Sequence, residues 1–385
     1  MTVHDPDLRA RTPVPIAWVS CVGEKGGAEA LMLECLRELD RREFTPHVIQ
    51  LRPGPLAELL REAGVTVHVL PSHRMRHPWA VARALRSIGQ IVREQGLALL
   101  HGSSFRGHFY SGLAAWRAGI PEVYTAHTVE RPGLLASFLH RLPTRRVFTN
   151  CPRTDDHFKA AGHPTSMIWP GVNVGRLRDH TSRRELARRF GLPADRRWVS
   201  VGARLQRYKG QAHFLRSLAA MPAAEDVHGI VIGGALFGQE TDYEQELVAL
   251  ARSLGIQERV TFTGFVPGDA DFAGLLAASE VVVHPALEED FGISVAEAQA
   301  LGIPVVAYAA VGPAAIVVDG ETGWLVPVGY EAALSAALRS ALGDAARRQA
   351  FGAAGRARVL ARFSAEEHAR RTEAVYAEVL AGAGG

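Results

Sequence analysis

Three cysteines in 385 residues, Cys21, Cys35 and Cys151, are too few and too far apart for a disulfide framework or a structural zinc site, so no chemical role falls to them. Long apolar runs are missing as well. None reaches the roughly 18 residues that a membrane-spanning helix needs, and the opening MTVHDPDLRA lacks the apolar stretch of a signal peptide; a cytoplasmic protein is expected. No low-complexity segment or short-period repeat occurs, and 47% hydrophobic with 22% charged residues is ordinary globular usage, which excludes a fibre or a disordered chain. The dinucleotide fingerprint G-x-G-x-x-G is not met either. After the first candidate strand the chain reads GEKGGA, and Gln50 stands where an acidic residue would be required.

Charge is weakly asymmetric. Residues 1–172 carry 21 Lys and Arg against 15 Asp and Glu (+6), and residues 173–385 carry 22 against 25 (−3). A basic first half suits an anionic acceptor or a membrane surface, or is simply a solvated face. The stretch RPGLLASFLHRLPTRR, with Leu134, Leu135, Phe138 and Leu139 among arginines, poses the same choice between weak peripheral membrane contact and core packing of a helix. No nucleic-acid partner is expected.

What is present is a repeated alternation of short β-branched runs, turns and helical stretches, the pattern of doubly wound α/β units with parallel strands. In the first half the candidate strands are PIAWVSCV, HVIQL, VTVHVL, LALLHG, EVYTAH and RVFTNC; in the second they are WVSVGA, HGIVIGG, RVTFTG, EVVVHP, IPVVAYA and GWLVP. A chain of this length exceeds what one hydrophobic core supports. The Pro/Gly-marked passage IWPGVNVGRLRDHTSRRELARRFGLP separates the two sets. The expected domains are therefore residues 1–172, residues 173–363, and a final helix over 364–385 packing back on the first domain, with the closing GAGG disordered.

Ligands of open parallel sheets sit beyond the carboxyl ends of the strands, so the residues after each strand are the candidates. Gly26 and Gly27 follow the first strand, next to Lys25, and open a helix; either they admit a ligand to the backbone amides or they make a tight turn. His127 follows VYTA, as a donor into the crevice or as a structural histidine. Arg204 and Lys209 share the loop after VSVGA and suit a diphosphate, unless they are solvated surface charge. The loop ALFGQETDYEQEL is long enough to close over a ligand. VVVHP ends in the loop ALEEDFG, followed by the helix ISVAEAQALG. Backbone amides of residues 291–294 at that helix start would bind an anion. Glu289 before it and Glu297 inside it would accept hydroxyl groups on either side, which describes a sugar, a diphosphate and a ribose in a row. The competing reading is a dipole-favoured glutamate plus an exposed helical one.

With these residues in hand, the chain resembles the retaining glycosyltransferases of the GT-B fold, group 1, family 4-like, over nearly its whole length. HPALEEDFGISVAEAQALGIPVVAY is similar to the family's E-x7-E signature, VGARLQRYKG to its V-G-R-L-x-x-x-K-G segment, TAHTVE to its inter-domain histidine, GGAEALMLECLREL to its N-terminal glycine loop, WPGVNV to its lead-in to the second domain, and VGPAAIVVDGETGWLVP to its last strand-end loop. Pro313 and Ala315 depart from the two glycines and Glu usual in that last segment, and Asn150 with Cys151 stands where Ser is frequent.

The resemblance implies an α/β fold of two Rossmann-like doubly wound domains facing across a cleft, the first binding acceptor and the second donor. It implies a hexosyltransferase using a UDP- or GDP-linked sugar in polysaccharide, glycolipid or small-glycoside biosynthesis, with retention at the anomeric carbon. Arg204 and Lys209 would hold the diphosphate, Glu289 the sugar, Glu297 the ribose, and Asp290, Phe291, Gly292 and Ile293 the rest of the donor site. His127 would act from the opposite domain, and Lys25, Gly26 and Gly27 would face acceptor or phosphate. No D-x-D pair stands at a strand end, so neither metal nor cofactor is expected. Two rival classes stay open: a glycoside hydrolase with Glu289 and Glu297 as its carboxyl pair, and a noncatalytic sugar-nucleotide-binding protein.

Overall fold

Runs dominated by Val and Ile become strands buried on both faces, as parallel sheets covered by helices require. The computed structural model describes residues 12–382 apart from 25, 72–76, 130–132, 203, 223–225 and 235–241, and not the side chains of 134–136. The loop expected to close over a ligand begins with residues 235–241 and, like residues 383–385 of the closing GAGG, that segment lies outside the described residues. The chain divides into two compact units, Met1–Gly171 with Ala365–Gly385, and Val172–Ser364.

Unit 1 contains seven parallel strands, β1 (Val14–Ser20), β2 (Phe44–Gln50), β3 (Thr66–Val69), β4 (Leu99–Ser103), β5 (Glu122–Ala126), β6 (Arg146–Thr149) and β7 (Thr165–Met167), in the order β3-β2-β1-β4-β5-β6-β7. The sequence names six of them. β7 escapes because it is a three-residue edge strand, Thr-Ser-Met, paired only with β6 and without a β-branched run. Ile16, Trp18, Leu33, Leu36, Val48 and Leu99 form the core on one face of the sheet, and Tyr376 of the closing helix Ala365–Ala381 joins them. Its ring meets Phe44 edge-on at 5.7 Å, and its hydroxyl lies 2.6 Å from Nδ1 of His101. In the helix Leu134–Leu139, Leu139 is buried and Phe138 exposed. No helix among the described residues is long and apolar enough to cross a membrane.

Unit 2 contains the six expected strands, β8 (Arg197–Gly202), β9 (Val227–Ile232), β10 (Val260–Phe262), β11 (Val281–His284), β12 (Val305–Tyr308) and β13 (Gly323–Val326), all parallel in the order β10-β9-β8-β11-β12-β13. Val199, Val201, Val231, Val281, Val283 and Val306 pack under Phe214, Leu218, Leu334 and Leu338 of the covering helices. Both sheets reverse their strand order once, between β1 and β4 and between β8 and β11. At such a reversal the connections leave in opposite directions and open a crevice at the carboxyl ends of the two central strands.

Because Tyr376 fills the unit 1 core and also satisfies His101, Tyr376→Ala should destabilise the protein by about 3 to 5 kcal/mol, as large aromatic truncations do. Tyr376→Phe, which leaves only the hydrogen bond unmade, should cost about 1 to 3 kcal/mol. Denaturant unfolding of the two variants checks this order; equal losses would contradict it.

Candidate functional site

The crevice of unit 2 is lined by the loop after β8 and the loop after β11. Two features fasten these loops together. The Leu287 amide donates to the Tyr208 carbonyl at 2.7 Å. Gly210 adopts φ +73°, and a Cβ there would stand 1.9 Å from the Pro285 carbonyl oxygen, so only glycine allows the approach. The 3-10 turn Arg207–Lys209 thereby brings Lys209 Nζ to 2.6 Å from Glu289 Oε2. The same oxygen lies 3.1 Å from Nε2 of His284, the last residue of β11, whose Nδ1 is 3.4 Å from Ser294 Oγ. Burial alone would raise the Glu289 pKa. The hydrogen bond and charge of His284 and the charge of Lys209 outweigh it and hold the carboxyl at about 2.

The helix Ile293–Ala300 starts from Gly292 at φ +91°. The amides of Val295 and Ala296 bond back to the Gly292 carbonyl, which leaves those of Ile293 and Ser294 as the first-turn donors without a backbone acceptor among the described residues. Phe291 turns its ring into the core against Phe363, at 5.9 Å between centroids, and Asp290 is half-buried. Glu297 is buried, so it is not an exposed helical glutamate; its Oε1 accepts from Arg176 Nη2 at 2.7 Å. Burial pushes Glu297 up to about 7, the Arg176 guanidinium opposing the rise. Arg204 is exposed, its carbonyl held by Gln211 Nε2 at 2.9 Å, and its guanidinium forms no ion pair among the described residues. Asp269 pairs with Arg176, while Asp271 pairs with Arg189 and accepts from Thr181. Among the described residues no group of three or more His, Cys, Asp or Glu side chains could hold a metal ion.

His127, Gly26 and Gly27 belong to unit 1, and Lys25 lies outside the described residues. Neither glycine has a positive φ, and a Cβ on Gly27 would meet open space, so turn geometry does not select them. His127 borders a pocket also lined by Trp18, Met32, His101, Phe148 and His368. Its Nε2 is buried without a hydrogen-bond partner. Burial, with His368 adding to it, lowers its pKa to about 4, so the ring is neutral at pH 7.

The structure thus joins Lys209 and Glu289 directly and places Arg204 and the start of the helix that carries Glu297 at the carboxyl ends of the same two adjacent strands. Sequence reasoning missed His284, Ser294 and Arg176. His284 was findable by extending the strand-end rule back to the strand's own last residue; Arg176 was not, because nothing local marks which cation answers a buried carboxylate. It also missed Ser104, the first residue after β4 in unit 1, with φ +66° the one non-glycine residue of positive φ among the described residues.

Residues 182–358 match the family described as Glycosyl transferases group 1, and residues 25–176 match Glycosyltransferase Family 4. A D-inositol 3-phosphate glycosyltransferase of Corynebacterium diphtheriae is 30% identical, over 92% of this chain and 90% of the relative. The structure of Anabaena Alr3699/HepE in complex with UDP and glucose superimposes with a TM-score of 0.79 at 26% identity, covering 95% of this chain and all of that one. A glycosyltransferase of Rickettsia africae, with a TM-score of 0.85 at 18% identity over 96% of this chain and 99% of its own, shares the fold.

The two glutamates should titrate far apart. Carboxyl NMR should give Glu297 a midpoint of about 7 and Glu289 one of about 2, assigned with Glu297→Gln and Glu289→Gln. Since Glu297 binds its proton more tightly folded than unfolded, it lowers stability as pH rises from its ordinary value of 4.5 toward 7; Glu289, the reverse case, loses its stabilisation as pH falls below 4.5 toward 2. A Glu297 midpoint at or below 4.5 would contradict this assignment.

Proposed function

This chain belongs to the group 1 glycosyltransferases, and we propose that it moves a sugar from a UDP-linked donor to an acceptor hydroxyl with retention at the anomeric carbon. Its two parallel-sheet units are those of the GT-B fold. The observation that carries the proposal is the convergence of Lys209, Glu289 and the helix start at Ile293 on the carboxyl ends of β8 and β11. UDP is favoured over GDP because the similar HepE structures hold UDP, UDP with glucose, and UDP-glucose.

As the bond to the anomeric carbon breaks, charge builds on the leaving diphosphate. Interactions that strengthen with that charge accelerate the step, and Arg204, Lys209 and the amides of Ile293 and Ser294 are of this kind. Two side-chain cations and two amides can carry the load, so the proposal needs no divalent cation. Glu289, acceptor-only at neutral pH, would orient the sugar through its hydroxyl groups, and Glu297 would take the ribose. The leaving phosphate would collect the acceptor's proton, so no separate base is invoked. His127, neutral and with an unpartnered Nε2, is proposed as a donor to bound substrate, and the loop of Lys25, Gly26 and Gly27 as part of acceptor binding in unit 1. Unit 2 would bind the donor. A cytoplasmic location and an acceptor in polysaccharide, glycolipid or small-glycoside synthesis complete the proposal.

A glycoside hydrolase fits less well. Glu289 is held by Lys209 and His284 while Glu297 is held by Arg176, so the two carboxyls are committed to separate partners rather than to one glycosidic bond.

Replacing Lys209 or Arg204 by Ala should lower transfer from UDP-sugars by about tenfold or more while the protein stays folded at the assay temperature, measured against an acceptor panel that includes D-inositol 3-phosphate. Unchanged turnover would remove either residue from the mechanism. Chelator should leave the rate as it was, and strong inhibition by chelator would overturn the metal-free account.

A further inference from the structure

Glu289 Oε2 is a shared acceptor. Lys209 Nζ donates to it from 2.6 Å and His284 Nε2 lies 3.1 Å away, with all three side chains largely withdrawn from water. The two partners differ in freedom. Lys209 sits in a 3-10 turn at the end of a flexible stem, whereas His284 closes β11 and is 3% exposed. The donor reading above asks Lys209 to serve a diphosphate, which offers more negative charge than one carboxylate. If Lys209 turns away, Glu289 becomes a buried carboxylate stripped of its cation, a state that is strongly unfavourable unless another donor remains.

We propose that His284 is a positioning residue that keeps hold of the Glu289 carboxylate when Lys209 leaves it for the diphosphate of a bound donor. The inference rests on that donor reading. Three features support it. An ionised carboxylate only accepts, so Nε2, 3.1 Å from Glu289, is the ring nitrogen that carries a proton toward it, and Nδ1 is left to the Ser294 hydroxyl at 3.4 Å. Gly292, at φ +91°, makes the turn that the pair flanks: Glu289 Cγ and His284 Nε2 lie 3.4 Å and 3.7 Å from where its Cβ would stand, in ordinary van der Waals contact. The Glu289 carbonyl is separately anchored by the Gly312 amide at 2.9 Å, so what His284 fixes is the side chain and not the loop. Among the described residues, Glu289 and Ser294 are the polar side chains within hydrogen-bonding distance of the imidazole, and Lys209 is linked to it through the Glu289 oxygen. In effect Lys209 is exchanged between an internal and an external anion, and His284 makes the exchange reversible by never letting the internal one go unpartnered.

Calorimetric titration with UDP tests this on the full chain. His284→Leu should weaken UDP binding by about tenfold, because Lys209 can no longer be released from Glu289, while His284→Gln, which retains an N–H donor, should stay within about threefold of wild type. In a Glu289→Gln background Lys209 is already free, so adding His284→Leu should change UDP affinity no further. Should His284→Leu fail to fold, His284→Asn withdraws the donor from Glu289 with a smaller disturbance and should show the same loss. His284→Leu binding UDP as wild type does, or losing affinity equally with and without Glu289, would overturn the inference alone. A wild-type protein that binds neither UDP nor GDP would overturn the donor reading and the inference with it.

Discussion

A carboxylate taken out of water has to be answered by hydrogen bonds and charge, and the region around β8 and β11 is arranged around two such debts. Glu289 is answered by Lys209 and His284, Glu297 by Arg176. Neither pairing belongs to the core of the sheet, which is built of aliphatic and aromatic side chains. Buried ion pairs contribute little net stability, because desolvation offsets most of the attraction. In the proposed reading they prepare the crevice for a ligand, with charges already desolvated.

The fold supplies the aim. Reversal of strand order between β8 and β11 opens the crevice, and two glycines shape its walls: Gly210 admits the Pro285 carbonyl, and Gly292, at φ +91°, turns the chain into the helix beside Glu289 and His284. The opposite fates of the two glutamates follow from this layout. Glu289 meets two donors and stays ionised far into acid, whereas Glu297, one and a half turns into the helix and fully enclosed, has a single cation and is poised near neutrality. Two residues of one type can thus make different kinds of contact with one substrate.

Much of this was legible in the residues. Val-rich runs announced twelve strands, because a strand buried on both faces must be apolar almost throughout. Glu289 and Lys209 stood out because each lies in the loop that leaves the carboxyl end of a buried strand, where ligands of parallel sheets bind, although a dipole-favoured glutamate and solvated surface charge were competing readings. What the sequence hid has physical causes too. β7 is too short and too exposed to carry a hydrophobic pattern. His284 is the last residue of a buried strand and looks like a core residue until Glu289 is placed beside it. Arg176 lies 121 positions from its partner, and pairing over that separation is set by the tertiary fold alone. The strained backbone of Ser104 leaves no mark on composition or periodicity.

The account's central claim is that Lys209 is the charge shared between Glu289 and the leaving nucleotide. A crystal structure of the protein with an intact UDP-sugar tests it most directly. The predicted result is a diphosphate within hydrogen-bonding distance of Lys209 Nζ, Arg204 and the amides of Ile293 and Ser294, with Glu289 still bonded to His284 and facing sugar hydroxyls. A nucleotide bound elsewhere, or bound there with Lys209 unmoved from Glu289, would contradict it.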